Sequence, residues 1–193
     1  PNVVDLINQE MIQSSNMSLG LLPMLSRGAM HALSLFGSSD QKDLFLGKLI
    51  SGIWSGTMNL TEPQAGSDLS GINCKAIPNG EHFLISGQKI YITWGDHALA
   101  ENVVHLVLAR IEGAPPGNNG ISLFIVPKYL VNNDGSIGER NDLRVVGLEH
   151  KLGIHASPTC TMAFGDKQGA VGHLVGNENE GLRYMFAMMN NAR

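Results

Sequence analysis

A chemically rich segment lies at residues 56–68, with the sequence GTMNLTEPQAGSD. Its first half alternates threonine or asparagine with methionine and leucine, which is typical of a strand whose two faces differ. Pro63 then interrupts the strand and Gly66 releases the backbone. Backbone N–H groups next to this glycine, together with the Ser67 hydroxyl, could hold a phosphate or another anion. The alternative is a surface turn in which Ser67 or Asp68 hydrogen-bonds to its own backbone.

A second segment, residues 88–95, reads QKIYITWG and complements the first. Strand alternation places Ile90 and Ile92 on one face. It places Tyr91 and Thr93 on the opposite face. Two strands could therefore each present a threonine hydroxyl and a large side chain to one surface. An aromatic wall with directed hydrogen-bond donors suits a planar redox ring whose reduced form is anionic. The alternative is the ordinary half-exposed packing that aromatic residues favour in strands.

Common nucleotide, hydrolase and metal motifs are missing from the sequence. It contains no GxGxxG, no GxxxxGK[ST], no GxSxG and no HExxH, which argues against Rossmann-type and P-loop nucleotide binding. His150 and His155 have no third ligand nearby, so no metal site is predicted. Cys74 and Cys160 are far apart and indicate neither a disulfide framework nor a zinc site. A reducing compartment is the default for such a chain.

The composition places the chain among ordinary folded proteins. Its 193 residues are 43% hydrophobic and 16% charged, and 23 of them are glycine, which indicates many turns. The net charge of −4 disfavours nucleic acid as a partner. No apolar run approaches the roughly 18 to 20 residues of a membrane span.

Hydrophobic periodicity divides the chain into three zones. Apolar residues recur at helical spacing in residues 1–52, and the third helix is predicted to begin at Ser39 and to end before Gly52. The apolar period falls towards two in residues 53–176. Residues 177–193 return to helical spacing without a stop signal, which we interpret as an unfinished helix at a boundary within a longer protein.

Short strands separated by turns fill the middle zone. Asn79-Gly80 predicts a hairpin between residues 73–77 and 82–85, and Ser86-Gly87 predicts a turn before residues 88–93. Further strands are predicted at 103–111, 121–126, 143–147 and 159–164. Because no helices separate these strands, the expected fold is α+β, with an antiparallel β-barrel or sandwich flanked by helices.

The motifs as a set resemble those of the acyl-CoA dehydrogenase family of flavoproteins. The resemblance is carried by LTEPQAGSD at 60–68, GQKIYITWG at 87–95, KLGIHASPT at 151–159, GHLVGNENEGL at 172–182 and MMNNAR at 188–193. The stretch ALAENVVHLVLAR at 98–110 is most similar to the larger bacterial members that act on fatty acyl-CoAs. The resemblance implies the end of an N-terminal helical domain at 1–52, a middle β-barrel domain at 53–176, and the first helix of a C-terminal helical domain at 177–193.

The resemblance also implies roles for individual residues. It implies that FAD is bound by Met58, Leu60, Thr61, Gly66, Ser67, Tyr91, Ile92 and Thr93. The Thr61 hydroxyl would face the pyrimidine side of the flavin and Thr93 would lie near flavin N5. Fatty acyl-CoA would contact Ser67, Asn190 and Arg193. Two residues depart from the family pattern and bear on the shape of the pocket, namely Gln64 and Trp94.

No catalytic residue is assigned within this chain. The family reaction needs a carboxylate that removes the α-proton of the acyl thioester while hydride passes to the flavin. No glutamate here matches the family's base, and Glu62 and Glu101 have no support for that role. The resemblance implies a base in the C-terminal helical domain, so this chain alone would be inactive.

The resemblance also implies two partners, namely an electron-transfer flavoprotein as electron acceptor and the other subunits of a homo-oligomer. It implies a cytoplasmic location of the bacterial type. Three alternatives remain open: an acyl-CoA oxidase, an adaptive-response flavoprotein of the same fold, and a non-enzymatic β-barrel used for association. In the association barrel, the methionines of the final helix would form the contact face. Methionine more commonly fills a protein core.

Overall fold

Helices form both ends of the described chain. The computed structural model describes the backbone of residues 2–192. The helices are α1 (Asn2–Ser15), α2 (Met17–Phe36), α3 (Ser39–Gln41), a π-helical turn (Lys42–Leu46), α4 (Gly47–Ile50) and α5 (Gly181–Ala192). The first and last zones are therefore helical, as their periodicity predicts. Within residues 2–192, no helix combines the length and the apolar character needed to cross a membrane.

The third helix begins at Ser39, as the sequence predicts. Ser38 is its N-cap, because the Ser38 hydroxyl accepts the Gln41 N–H while the Gln41 side chain accepts the Ser38 N–H. This reciprocal pair is a capping box, which satisfies two donors that a helix start would otherwise leave unpaired. Gly52 follows the helix with φ +75°, in the role that the sequence predicts for it.

Ten strands form the middle of the molecule. They are β1 (Trp54–Asn59), β2 (Lys75–Asn79), β3 (His82–Thr93), β4 (Asn102–Ile111), β5 (Ile121–Pro127), β6 (Tyr129–Val131), β7 (Ile137–Arg140), β8 (Leu143–Leu148), β9 (Thr159–Phe164) and β10 (Ala170–Leu174). Strands β4, β5, β10, β3 and β2 pair in that order, and β2 pairs again with β4, which closes a barrel. Strands β9 and β8 extend the sheet from β3, and β6 and β7 form a separate hairpin. The predicted α+β fold with an antiparallel barrel is confirmed.

Two parallel pairings depart from the antiparallel expectation. Both β1 and β2 run parallel to β4, with Asn59 opposite Val107 and Lys75 opposite Arg110. The two strands therefore fill successive parts of the same side of β4. Residues 60–74 leave this side between them, and they carry the LTEPQAGSD motif.

The predicted turn at Ser86-Gly87 is wrong, because β3 continues through it. Gly87 has φ +139°, and a Cβ at this position would lie 2.9 Å from Cys74 Cα. Only glycine combines this backbone with so close a neighbour. The glycine therefore allows the strand to pass Cys74 without ending it.

Two apolar cores lie on opposite sides of β4. Val104, Leu106 and Leu108 face a core shared with the helices, whereas Val107 and Ala109 face the barrel interior. Because both faces of β4 are covered, its sequence is apolar almost throughout. Strand β4 therefore lies between the helices and the barrel interior.

A buried polar cluster interrupts the barrel interior. His105 is fully buried, its Nδ1 lies 2.8 Å from Thr57 Oγ1, and Asn59 Nδ2 donates to the same hydroxyl at 2.8 Å. Because a fully buried imidazole is disfavoured in its charged form, His105 is neutral at pH 7. Burial lowers the pKa of His105 from 6.5 to about 3.

Stability should therefore fall as the pH falls below 6.5. The unfolded chain takes up a proton at His105 near pH 6.5 and the folded chain does so only near pH 3, so protons favour unfolding between these values. This histidine alone should lower the free energy of unfolding by about 2 kcal/mol between about pH 7.5 and about pH 5. Urea titrations at both pH values measure the effect, with His105→Gln as the non-titrating comparison. Equal pH dependence in the two proteins would contradict the assignment.

Candidate functional site

A cavity of about 190 Å³ lies where β1 ends against the last part of β3. It is lined by Leu25, Met58, Leu60, Thr61, Ile90, Tyr91, Ile92, Thr93 and Met189. We call it the strand-end cavity. It brings together six of the eight residues that the sequence predicts to bind a cofactor: Met58, Leu60, Thr61, Tyr91, Ile92 and Thr93.

A β-bulge shapes the wall formed by β3. Lys89 pairs with Met162 and Ile92 pairs with Cys160, so Ile90 and Tyr91 together lie opposite the single residue Thr161. The extra residue breaks the alternation of side chains along the strand. Ile90, Tyr91, Ile92 and Thr93 all line the cavity, although Ile92 is buried and also packs in the core of the barrel interior.

Tyr91 occupies a strained and exposed position within this bulge. Its φ is +60° and its side chain is 60% exposed. A left-handed backbone costs a residue other than glycine about 1–2 kcal/mol. An exposed aromatic ring held at this cost is the kind of local irregularity that marks functional sites.

The two threonines lie on opposite walls of the cavity. Thr61 follows β1 and Thr93 ends β3, and both are half-buried. The walls meet where Ile90 N–H donates to Thr61 O at 2.9 Å. Within the described chain, neither threonine hydroxyl has a hydrogen-bond partner. Both are therefore available to a bound molecule.

The motif loop beyond Thr61 does not line the cavity. Gly66 and Ser67 are exposed, although a Cβ on Gly66 would lie 3.7 Å from Thr61 Cγ2. Asp68 accepts the Ser70 N–H at 2.9 Å, and this backbone hydrogen bond lowers the pKa of Asp68. The local capping that the sequence left as an alternative is thus present at Asp68.

Gln64 and Trp94, the two residues that depart from the family pattern, do not line the cavity. Gln64 donates to Glu62 Oε2 and to Gly71 O, at 2.6 and 3.2 Å. Trp94 is buried away from the cavity, and its indole N–H donates to Ser18 O at 3.0 Å. Trp94 thus ties the end of β3 to the start of α2.

Asn190, one of the predicted substrate contacts, does not line the cavity. Asn190 is exposed on α5 and is not among the lining residues, and Arg193 lies outside the described residues. The neighbouring Met189 lines the cavity instead, together with Leu25 of α2. Met189 is not among the cofactor or substrate contacts that the sequence predicts.

Carboxylates and metal ligands are scarce at this site. None of the lining residues carries a carboxylate or an imidazole. Glu62, next to Thr61, is buried and paired with Lys89, and Glu101 is exposed on the loop before β4. Among the described residues, no group of three or more histidine, cysteine, aspartate or glutamate side chains could hold a metal ion.

The family model for the acyl-CoA dehydrogenase middle domain matches residues 57–167. The chain belongs to the acyl-CoA dehydrogenase family. The match begins in β1 and ends after β9, so it includes both walls of the strand-end cavity that β1 and β3 provide.

Named relatives extend the similarity over the whole chain. A 3-methylmercaptopropionyl-CoA dehydrogenase of Ruegeria pomeroyi is 56% identical over all of this chain and 32% of its own length. A butyryl-CoA dehydrogenase of Syntrophomonas wolfei is 42% identical over 95% of this chain and 31% of its own length. The chain therefore spans about a third of the length of these relatives.

A solved structure agrees with the fold. The crystal structure of an acyl-CoA dehydrogenase complexed with FAD from Bacillus anthracis is 30% identical, with a TM-score of 0.66. The likeness covers 84% of this chain and 26% of the Bacillus chain.

Proposed function

We propose that this chain forms the flavin-binding part of an FAD-dependent acyl-CoA dehydrogenase that introduces an α,β double bond into a fatty acyl-CoA. The observation that carries the proposal is the strand-end cavity, which is lined by an exposed tyrosine and by two threonines whose hydroxyls have no hydrogen-bond partner among the described residues. The similar acyl-CoA dehydrogenase of Bacillus anthracis is complexed with FAD, which supports FAD as the ligand.

The donor set of the cavity fits a flavin ring. Thr61 and Thr93 would donate to the polar edge of the ring from two sides, and Tyr91 would cover part of it. Met58, Leu60 and Ile92 supply the apolar surface that a flat ring needs. We propose that Gly66 and Ser67, which are exposed on the adjoining loop, contact FAD beside its ring. Ser67 is proposed to contact the CoA moiety as well.

The chemistry divides between the cofactor and other groups. Bound FAD would supply the hydride acceptor, and the residues of this chain would orient it and exclude water from one side. The lining residues include no carboxylate and no imidazole, so we propose that the base is a carboxylate outside the cavity. Asn190 and Arg193 are proposed to contact the acyl-CoA, as the family resemblance implies.

The relatives narrow the substrate class that should be tested. The Ruegeria and Syntrophomonas relatives are named for 3-methylmercaptopropionyl-CoA and butyryl-CoA, which are both short acyl thioesters. We propose an electron-transfer flavoprotein as acceptor, a homo-oligomeric assembly and a cytoplasmic location. The free, buried thiols of Cys74 and Cys160 are compatible with a reducing compartment.

Flavin content and reduction by substrate test the proposed function. The intact protein is expected to be yellow, to release FAD on denaturation, and to lose its visible absorption when a saturated acyl-CoA is added without air. Butyryl-CoA, 3-methylmercaptopropionyl-CoA and palmitoyl-CoA should be compared as substrates. A colourless protein that yields no FAD would refute the proposal, whereas oxygen consumption during turnover would indicate the oxidase.

A further inference from the structure

A buried ion pair lies next to the strand-end cavity, because Glu62 follows the lining residue Thr61 and Lys89 precedes the lining residue Ile90. Lys89 Nζ is 2.8 Å from Glu62 Oε1, with the lysine side chain 0% and the glutamate side chain 3% exposed. Burying two opposite charges costs desolvation energy that their attraction only partly repays, and apolar residues of similar volume often stabilise a fold as well. Fold stability alone therefore does not account for these two charges.

The carboxylate of Glu62 holds together both ends of the loop at residues 60–74. It accepts the backbone N–H groups of Asn73 at 2.6 Å and Cys74 at 3.0 Å, just before β2 begins. Burial alone would raise the pKa of Glu62, but the charge and hydrogen bond of Lys89 and these N–H groups together bring that pKa below its usual value. Glu62 is therefore ionised at neutral pH and already engaged, which makes it unsuitable as a base.

The ammonium group of Lys89 joins the two walls of the cavity. Besides the ion pair, it donates to Leu60 O at 2.9 Å. Leu60 lies in the wall that follows β1, and Lys89 is the last regularly paired residue before the bulge that carries Ile90 and Tyr91. One side chain thus connects the backbone of one wall to the start of the other.

We propose that Glu62 and Lys89 are a positioning pair that sets the separation between Thr61 on one wall and Tyr91 and Thr93 on the other. This proposal rests on the proposed function for the identity of the ligand. The pair touches no ligand itself; it acts through the Leu60 carbonyl and the bulge. Because an ion pair fixes distance and direction where apolar packing does not, it suits a site that needs placement within a fraction of an ångström.

The test compares three variants of the intact protein. Glu62→Gln keeps the side-chain volume and removes the charge. The double variant Glu62→Gln with Lys89→Met removes both charges and avoids leaving one of them buried and unpaired. Asp142→Asn is the matched control, because Asp142 also accepts backbone N–H groups, from Lys167, Gln168 and Gly169, but lies outside the cavity lining.

Hydrogen exchange of the flavin-free protein tests the positioning without any ligand. Both Glu62 variants should exchange faster at the amides of Ile90, Asn73 and Cys74, whose hydrogen bonds depend on the pair. The control should exchange faster only at its own turn. Unchanged exchange at these three amides in both Glu62 variants would overturn the proposal.

FAD affinity tests whether this positioning serves the ligand. Each Glu62 variant should bind FAD about tenfold more weakly than the wild type, as expected when placement of a hydrogen-bonding group is lost. Asp142→Asn should bind as the wild type does. Wild-type affinity in the double variant would overturn the proposal. If the wild type itself bound no FAD, the proposed function would fail, and exchange would still decide whether the pair holds the walls together.

Discussion

Replacing Gly181 with alanine is expected to lower the free energy of unfolding by about 3 kcal/mol, the upper part of the range for overpacking. A Cβ at this position would lie 2.5 Å from Leu123 N and 2.7 Å from Ser122 Cα. These are backbone atoms of β5, a buried strand paired on both sides, so they cannot move aside as a flexible side chain would. The helix must shift instead.

The effect should reach the strand-end cavity, because Gly181 is the first residue of α5. Met185 and Met188 of this helix are fully buried, and Tyr184 stacks on Phe36 of α2 with ring centroids 4.2 Å apart. Met189, one position further, lines the cavity. A helix displaced at its first residue would withdraw Met189 from this wall.

Gly47→Ala is the matched control for this prediction. Gly47 begins α4, and a Cβ there would meet no other atom within 4 Å. Alanine should instead stabilise the protein by about 0.5–1 kcal/mol through its higher helix propensity. Urea unfolding of the two variants measures both effects, and equal midpoints would contradict the close packing of Gly181 on β5.

Local patterns predicted most strands but not the route of the chain between them. The predicted strand at 159–164 coincides with β9, and the hairpin after β2 is confirmed at Asn79-Gly80. The strands β6, β7 and β10 were missed because they are short and lie among turn residues. The parallel pairing of β1 with β4 has no local signal, since it follows from the departure of residues 60–74 from the sheet.

The candidate site shows the same limit. The sequence identified Thr61, Tyr91 and Thr93, and the structure brings them to one cavity. The sequence contains no signal for the bulge at Tyr91. A left-handed backbone position is expected to carry glycine or asparagine, and Tyr91 is neither. The partner of Glu62 was also hidden, because Lys89 lies 27 positions away on a strand whose register only the fold determines.

Replacing both cavity threonines with valine is expected to weaken FAD binding about a hundredfold. Valine has nearly the shape of threonine, so the substitution removes the hydroxyls and little else. Each lost hydrogen bond should contribute about 1–1.5 kcal/mol, and two together correspond to about two powers of ten in affinity. Titration of the flavin-free protein with FAD, followed by flavin fluorescence, measures the change.

The same variant tests whether the two threonine hydroxyls serve a bound flavin or the stability of the fold. Within the described chain the Thr61 and Thr93 hydroxyls bind no other residue, so Thr61→Val with Thr93→Val should leave the unfolding midpoint unchanged. Thr161→Val is the matched control, because Thr161 does not line the cavity and its hydroxyl donates at 3.2 Å to Glu149, the residue that follows β8. Unchanged flavin content and turnover in the double variant would contradict the assignment of these two hydroxyls to the flavin site, whereas an intact wild-type protein without flavin or turnover would favour the association barrel.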